Sequence, residues 1–504
     1  MDQATPFHYD LAVIGCGPGG FAGAMRALDL GKRVCVIEAR QIGGAGVMWG
    51  ALASKTMWEL AKDYDVARKV DRGYRVAELA VDYAAVRASV LAAVEEKQQQ
   101  MLSQLETFSP QRRPAGSPTV TYLRGHARFM DSGRLEVALA DGGRTELTAD
   151  HFLIATGSRP RRITEIATDQ HRVLDSDGIL NLRAFPRRLV ILGAGIIGCE
   201  YATIFSNFDQ TRVFLVDSAE RIIPYEDEDV SDFVNASLTA NGVRIYHSAT
   251  LRGIAAESDH LDVVLDFAAG QSRVIKADAL LVAIGRRPQL DDLDLAQAGI
   301  APNPRGFLDV DADGRVAHQI FACGDVTSHP ALVNLAEMES RHAVEAMFGA
   351  PRQELSYRNM STVMFFKPTL AAVGLNEKTC QRRGIPYQVA YFSIALLSRA
   401  IAMRATRGFV KIIVGADGDQ KILGMRAAGP QASNTIMSVA MLIDQNRGLR
   451  DVLKSLYPHP TMSEAIQECL RLLTGNSVYK PEAFPDLLRI RSWDPERGYR
   501  PGNG

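Results

Sequence analysis

Leu11-Ala-Val-Ile-Gly-Cys-Gly-Pro-Gly-Gly20 decides the fold, because Leu189-Val-Ile-Leu-Gly-Ala-Gly-Ile-Ile-Gly198 repeats it further along the chain with the same neighbours. In each copy a short apolar run, read as a buried parallel strand, meets a Gly-x-Gly-x-x-Gly turn. A helix follows, over Phe21 to Leu30 in the first copy and Ile197 to Phe208 in the second. A second apolar run then ends in an acid, Val34 to Glu38 and Val213 to Asp217. The glycines permit a tight turn and a close approach of the backbone to a pyrophosphate at the helix N-terminus, and the acid is placed to accept ribose hydroxyls. One such turn occurs by chance in many chains. Two, each with complete strand-helix-strand context, predict two dinucleotide sites.

The 504 residues exceed what one core fills, so several domains are expected, and a hydrophobic content of 46% is that of a globular protein. Fifty-seven basic against 58 acidic side chains leave a formal net charge of −1, which gives no field for nucleic acid or an anionic membrane. The arginine clusters Arg112-Arg113, Arg159 to Arg162 and Arg382-Arg383 read as solvated faces. The amino terminus lacks a basic lead and an apolar signal core, and no later stretch approaches the ~20 apolar residues of a membrane span. A cytoplasmic protein without membrane insertion is expected. Cysteines at 16, 35, 199, 323, 380 and 469 form no CxxC, CxxxxC or metal-ligand spacing. They read as small buried hydrophobes of a reducing compartment, and no metal is expected.

Helical patterns over Ala51 to Val70 and Tyr83 to Phe108 are followed by a breaker-rich loop, Ser109 to Pro118, and by strands at Val120 to Arg124, Ala127 to Met130 and Arg134 to Ala140. Leu280-Leu-Val-Ala-Ile-Gly285 echoes Phe152-Leu-Ile-Ala-Thr-Gly157, each a closing strand that ends on glycine, so the second nucleotide unit is inserted into the first. The expected class is α/β, with two Rossmann-like dinucleotide-binding domains and a C-terminal α+β domain. Residues 1–158 and 286–356 form the first nucleotide domain, 159–285 the second and 357–474 an interface domain. Residues 475–504 form a tail packed on a neighbour or flexible.

Further motifs sit at separate places in this layout. They are Gly43-Gly44 leading to Ser54-Lys55, Ala155-Thr-Gly-Ser158, Ala322-Cys-Gly-Asp325, Thr362-Val363 with Ala371-Ala-Val-Gly374, and His459-Pro-Thr461 with Glu464. With them the chain resembles the flavoprotein disulfide reductase superfamily over about residues 8 to 474. Asp175 to Leu180, Ile197 to Ala202 and Trp49-Gly50 look most like the branch of soluble pyridine nucleotide transhydrogenases and dihydrolipoamide dehydrogenases. The resemblance implies a glutathione-reductase-like fold and a homodimer. It implies FAD on Gly15, Gly17, Gly20, Glu38, Gly44, Lys55, Ala127, Gly157, Gly324, Asp325 and Val333, and a nicotinamide nucleotide on Gly193, Gly195, Gly198, Asp217 and Gly285. Lys55 and Glu200 match a catalytic pair beside flavin and nicotinamide, and His459 with Glu464 a pair that reaches the partner subunit's flavin. The superfamily's Cys-x4-Cys falls on Gly46 and Ala51. Neither side chain is a nucleophile, so the usual thiolate route is closed.

The expectation is an FAD-dependent NAD(P)H oxidoreductase that delivers hydride to a small-molecule, non-thiol acceptor, most simply a second nicotinamide nucleotide, as in transhydrogenation. A quinone reductase is the alternative, using an apolar hollow walled by Met48, Trp49 and Met57 where the thiols are missing. These side chains filling that gap is the competing reading. A degenerate flavoprotein subunit with an assembly role is a third, and an inherited structural role for His459 remains open. Asp217 favours NADH over NADPH, while Arg221 leaves NADP(H) possible.

Overall fold

The structure is a computed structural model that describes residues 7–501 apart from 165, 269 and 352. Residues 502–504 of the expected tail lie outside the described residues. The first sheet has seven strands, five of them parallel in the order Thr119–Asp131, Arg33–Glu38, Phe7–Ile14, Arg144–Ile154 and Ile320–Ala322, with Arg134–Leu139 and Arg315–Ala317 antiparallel. The strand that enters the first glycine turn is central and wholly apolar over Leu11 to Ile14, as a strand covered on both faces must be. A second parallel sheet repeats the order with Arg244–Tyr246, Arg212–Val216, Arg188–Leu192, Ala279–Val282 and Val173–Asp175. In both sheets the glycine-bearing strand lies between the strand that leads to the acid and the closing strand. This is the switch point of a doubly wound sheet, where ligands bind beyond the carboxyl ends of the strands.

Two strands expected around residues 120 to 130 are one, Thr119–Asp131. Its first part pairs with Arg33–Glu38, and from Gly125 onward it pairs with Arg134–Leu139 in an antiparallel meander. A side chain at Gly125 would put a Cβ 2.5 Å from the Ala138 oxygen, so the glycine permits the close approach where the pairing with Arg134–Leu139 begins.

Antiparallel strands form the third sheet, in the order Ser361–Met364, Leu370–Gly374, Ile422–Ala428, Phe409–Gly415, Tyr387–Ser393, Leu488–Asp494 and Gly498–Pro501. The helix Glu464–Leu473 packs Ala465, Ile466, Cys469 and Leu470 against this sheet. The last two strands come from the tail, which corrects the expectation of a flexible or neighbour-bound segment. It is a hairpin on its own chain's sheet, paired to Tyr387–Ser393 and stacked through Trp493 on Tyr387 at 5.7 Å.

The tail also closes a buried charge cluster. Lys411, 1% exposed, lies 2.9 Å from Asp227 and 2.7 Å from Asp229, both from the second nucleotide unit, and meets Glu377 of the C-terminal domain. Three carboxylates around one ammonium leave an excess of negative charge, which Arg491 of the tail reduces by bonding Glu377 and lying 3.4 Å from Asp229. These acids could have held a metal ion, but the lysine and arginine fill the role of cation. Burial alone would raise the Asp227 carboxyl, yet the Lys411 ammonium and the backbone N–H groups of Lys378 and Glu377 outweigh it and hold it low. Burial would likewise depress Lys411, and Asp229, Glu377 and Asp227 outweigh it and hold it high. A depressed acid stabilises the fold above its unfolded value near pH ~3.9 and loses that contribution as pH falls through the lower folded value; the raised lysine contributes below ~10.4 and is lost as pH rises above it. Lys411→Met should therefore cost about 3–5 kcal/mol and Arg491→Ala about 1–2 kcal/mol at neutral pH. Thermal melts of both variants and of wild type check this order.

Candidate functional site

Both glycine turns share one backbone construction. Gly15 N–H donates to the Ile37 oxygen at 2.7 Å and Gly193 N–H to the Val216 oxygen at 2.8 Å. A Cβ at Gly20 would sit 2.0 Å from the Gly15 oxygen, and one at Gly198 1.9 Å from the Gly193 oxygen, so these glycines close each turn onto itself. The middle glycines differ. A Cβ at Gly195 would meet nothing within 4 Å, and one at Gly17 only the Gly44 Cα at 3.9 Å. Gly17 and Gly195 cap the helices Pro18–Asp29 and Ile196–Asn207 with nearly equal torsions, φ −74° and ψ −175° against φ −76° and ψ −170°, and neither end receives a side-chain cap. Free backbone donors, a positive helix end and open space above a bare Cα are what a pyrophosphate needs. The donor set fits two dinucleotides.

The acids complete the likeness. Glu38 accepts from Cys16 N–H at 2.7 Å and Arg40 N–H at 2.8 Å; Asp217 accepts from Ala194 N–H at 2.5 Å and Ala219 N–H at 2.8 Å. Each carboxylate is thereby fixed beside its glycine turn. Burial pushes the Glu38 carboxyl up despite those backbone donors. Arg221, four residues beyond Asp217, is drawn to Asp232 and lies 3.9 Å from Glu228.

The other residues expected at the first site converge on the same turn. Gly43 N–H donates to the Cys16 oxygen at 2.8 Å, which lays the helix Gly44–Met48 across Gly17. Val333 opens the helix Val333–Met347, close to Gly46, and Ala336 of that helix faces Gly19 and Gly324. Gly157 has φ 70° with open space above it, and Gly285 holds the corresponding place in the second unit with φ 105°. Ala127 lies on the meander strand Thr119–Asp131. Asp325 accepts from the Ser158 hydroxyl at 2.5 Å.

Lys55 and Glu200, far apart in sequence, form an ion pair at 2.8 Å. Lys55 lies on the helix Ala51–Ala67 and its ammonium also reaches Ser54 Oγ at 3.2 Å and the Phe365 ring at 5.0 Å. The second Glu200 oxygen accepts from Phe365 N–H at 2.9 Å, a partner the sequence gave no reason to single out. His459 Nδ1 lies 2.8 Å from Glu464 Oε1, and Glu464 Oε2 accepts from Thr461 N–H at 2.8 Å. This second pair stands apart from the first, on the C-terminal domain, with the His459 side chain 66% exposed.

All six cysteines are buried and free. Burial pushes Cys16, Cys35, Cys199, Cys323 and Cys469 far above the usual thiol range and Cys380 to about 11. Gly46 is the middle residue of the helix Gly44–Met48, and Ala51 opens the helix Ala51–Ala67. Met57 is buried in the core, Met48 is bonded by Gln98 at 2.9 Å, and a Cβ at Gly46 would meet Pro18 Cγ at 2.4 Å. Nor is Arg159 on a solvated face, since it pairs with Asp291 on the ribbon that joins the two nucleotide units.

A model of the pyridine nucleotide-disulphide oxidoreductases matches residues 9–340, and one of their dimerisation domain matches residues 360–470. The chain belongs to the pyridine nucleotide-disulphide oxidoreductase family. It is 31% identical to dihydrolipoyl dehydrogenase of Geobacillus stearothermophilus, covering 93% of this chain and 96% of the relative. It is 33% identical to dihydrolipoyl dehydrogenase 3 of Pseudomonas aeruginosa, covering 93% and 99%. Among solved structures, RclA, a flavoprotein disulfide reductase of Escherichia coli, superposes with a TM-score of 0.80 at 27% identity over 92% of this chain and 99% of that one. LpdA of Mycobacterium tuberculosis shares the fold, with a TM-score of 0.83 at 24% identity over 93% and 99%. Membership makes the chain an FAD-dependent NAD(P)H oxidoreductase that carries a dimerisation domain. Among the described residues no helix is long and apolar enough to cross a membrane. The two roles of the glycines predict opposite mutational outcomes. Gly198→Ala should lower the melting temperature by several degrees, whereas Gly195→Ala should leave melting unchanged while raising KM for NADH about tenfold.

Proposed function

We propose that this chain takes hydride from NADH through FAD to a non-thiol acceptor, and that the acceptor is a second nicotinamide nucleotide, making it a pyridine nucleotide transhydrogenase. The carrying observation is Gly46 and Ala51 on the two helices that follow the first glycine site, together with six buried cysteines whose thiols stay protonated at neutral pH. Transhydrogenation needs the nucleotide side alone, because the oxidised product leaves and the second nucleotide enters the same site. FAD, when bound, supplies a two-electron carrier between the two half-reactions.

The residues then divide the work. Gly15, Gly17 and Gly20 hold the FAD pyrophosphate, with Gly44, Gly157, Gly324 and Val333 around it; Glu38 takes the adenosine ribose, Ala127 offers its backbone, and Asp325 accepts from ribityl hydroxyls. Gly193, Gly195 and Gly198 hold the nicotinamide nucleotide, Gly285 lines its ribose, and Asp217 accepts the adenosine ribose hydroxyls. Asp217 also repels a 2′-phosphate, and Arg221, engaged with Asp232 and Glu228, does little to relieve it. NADH is the preferred donor, and NADP(H) enters with lower affinity. Lys55 places a fixed positive charge where negative charge develops, and Glu200 orients it, held in turn by Phe365 N–H. His459, oriented by Glu464, serves the flavin of the second subunit in a homodimer.

Against the quinone alternative stand the close approach of Pro18 to Gly46, the bonding of Met48 by Gln98 and the burial of Met57, and the Lys55–Glu200 pair speaks against a degenerate subunit. Steady-state turnover from NADH to a thionicotinamide analogue of NADP⁺ should proceed undiminished after thiol alkylation. Faster turnover with a quinone than with any nucleotide would reject the reading. Lys55→Met should slow anaerobic flavin reduction by NADH about 100-fold in stopped flow, while Lys55→Arg retains part of the rate.

A further inference from the structure

The chain leaves the first nucleotide unit through the strand Ser158–Pro160 and returns through Arg286–Pro288, and the two pair antiparallel as a ribbon. Arg286 lies on this ribbon with its side chain 16% exposed and all its faces engaged. Nη1 reaches Asp177 Oδ1 at 2.6 Å and Ser176 Oγ at 3.2 Å, just past the strand Val173–Asp175 of the second sheet. Nε donates to Ser158 Oγ at 2.9 Å and Nη2 to the Ser158 carbonyl at 2.8 Å. Ser158 Oγ lies 2.5 Å from Asp325 Oδ2.

The polarity of this chain of bonds is forced. A guanidinium has no acceptor, so Ser158 Oγ must accept from Arg286 and turn its own proton onto Asp325. Donation from an arginine-polarised hydroxyl fixes one carboxylate oxygen of Asp325 and leaves the other to its neighbours. We infer that Arg286 is a positioning residue: through Ser158 it aims the Asp325 carboxylate into the FAD site, and through Asp177 it ties that aim to the second nucleotide unit. The inference rests on the reading of Asp325 as an FAD-binding residue. It gives the ribbon a task beyond joining two domains. A single forked cation reads the position of the nicotinamide unit and transmits it to a group on the flavin side. Lysine cannot substitute, since one ammonium lacks the planar fork that bonds Asp177 and both Ser158 oxygens together.

The test is FAD retention, read as the fluorescence of FAD released on dilution of the holoprotein, with the melting temperature of each apoprotein as the folding control. Asp325→Asn should weaken FAD binding about tenfold or more, and Ser158→Ala and Arg286→Met should each weaken it by a similar factor. Arg286→Lys should not restore binding, whereas Ser158→Thr, which keeps the hydroxyl, should. Combined with Asp325→Asn, neither Ser158→Ala nor Arg286→Met should add a further loss, because all three act through one carboxylate. If Asp325→Asn weakens FAD binding while Ser158→Ala and Arg286→Met do not, or if their effects add to it, the relay is overturned and the Asp325 reading survives. If Asp325→Asn leaves FAD binding unchanged, the reading itself fails and the inference falls with it. Should Arg286→Met not fold, the Ser158→Ala and Ser158→Thr pair decides alone.

Discussion

Contact of backbone with backbone at the two glycine turns is the constraint on which the rest depends. With a Cβ at Gly20 or Gly198, the helix that follows could not start where it does, since the Gly15 or Gly193 oxygen already occupies that space. Once the helix is seated, its uncapped N–H groups face outward beyond the carboxyl ends of the strands, and the acid at the end of the neighbouring strand is brought to bond the same turn. One local arrangement thus builds a pyrophosphate seat and a ribose acceptor together. The chain uses it twice, and the ribbon of Ser158–Pro160 and Arg286–Pro288 sets the two copies against each other.

The Lys55–Glu200 pair joins the helix Ala51–Ala67 to the helix Ile196–Asn207. A buried ion pair contributes little net stability, because desolvating both charges offsets their attraction. With Glu200 5% exposed and bonded a second time by Phe365 N–H, the pair instead holds the ammonium in one place. The neighbouring turn has changed in the opposite sense. Where the superfamily it resembles carries a dithiol, it has a glycine closed against Pro18 and an alanine, and the surrounding methionines are packed.

The parallel sheets, the glycine turns and their acids were legible because their residue pattern is local: a strand, a turn and a helix within about thirty residues impose a period and a composition. The Lys55–Glu200 contact was legible only through resemblance, as nothing in either local sequence announces the other. Asp227, Asp229, Glu377, Lys411 and Arg491 were not legible at all, since each is an ordinary charged residue until four separate segments converge. The tail misled for a related reason. Prolines, arginines and an isolated Trp493 describe a loose segment, but the strand pairing with Tyr387–Ser393 supplies the order that its composition lacks. Arg286 followed the Gly285 turn in plain view, and only the geometry gave it a task.

The stoichiometry of anaerobic reduction tests the central claim most directly, because it counts the redox centres that NADH can fill. Titrated in an oxygen-free cuvette, the holoprotein should lose its yellow absorbance fully at about one NADH per flavin, with no second phase and no newly reactive thiols. Consumption of about two NADH per flavin, with a pair of thiols appearing, would reveal a sulfur centre and contradict the account.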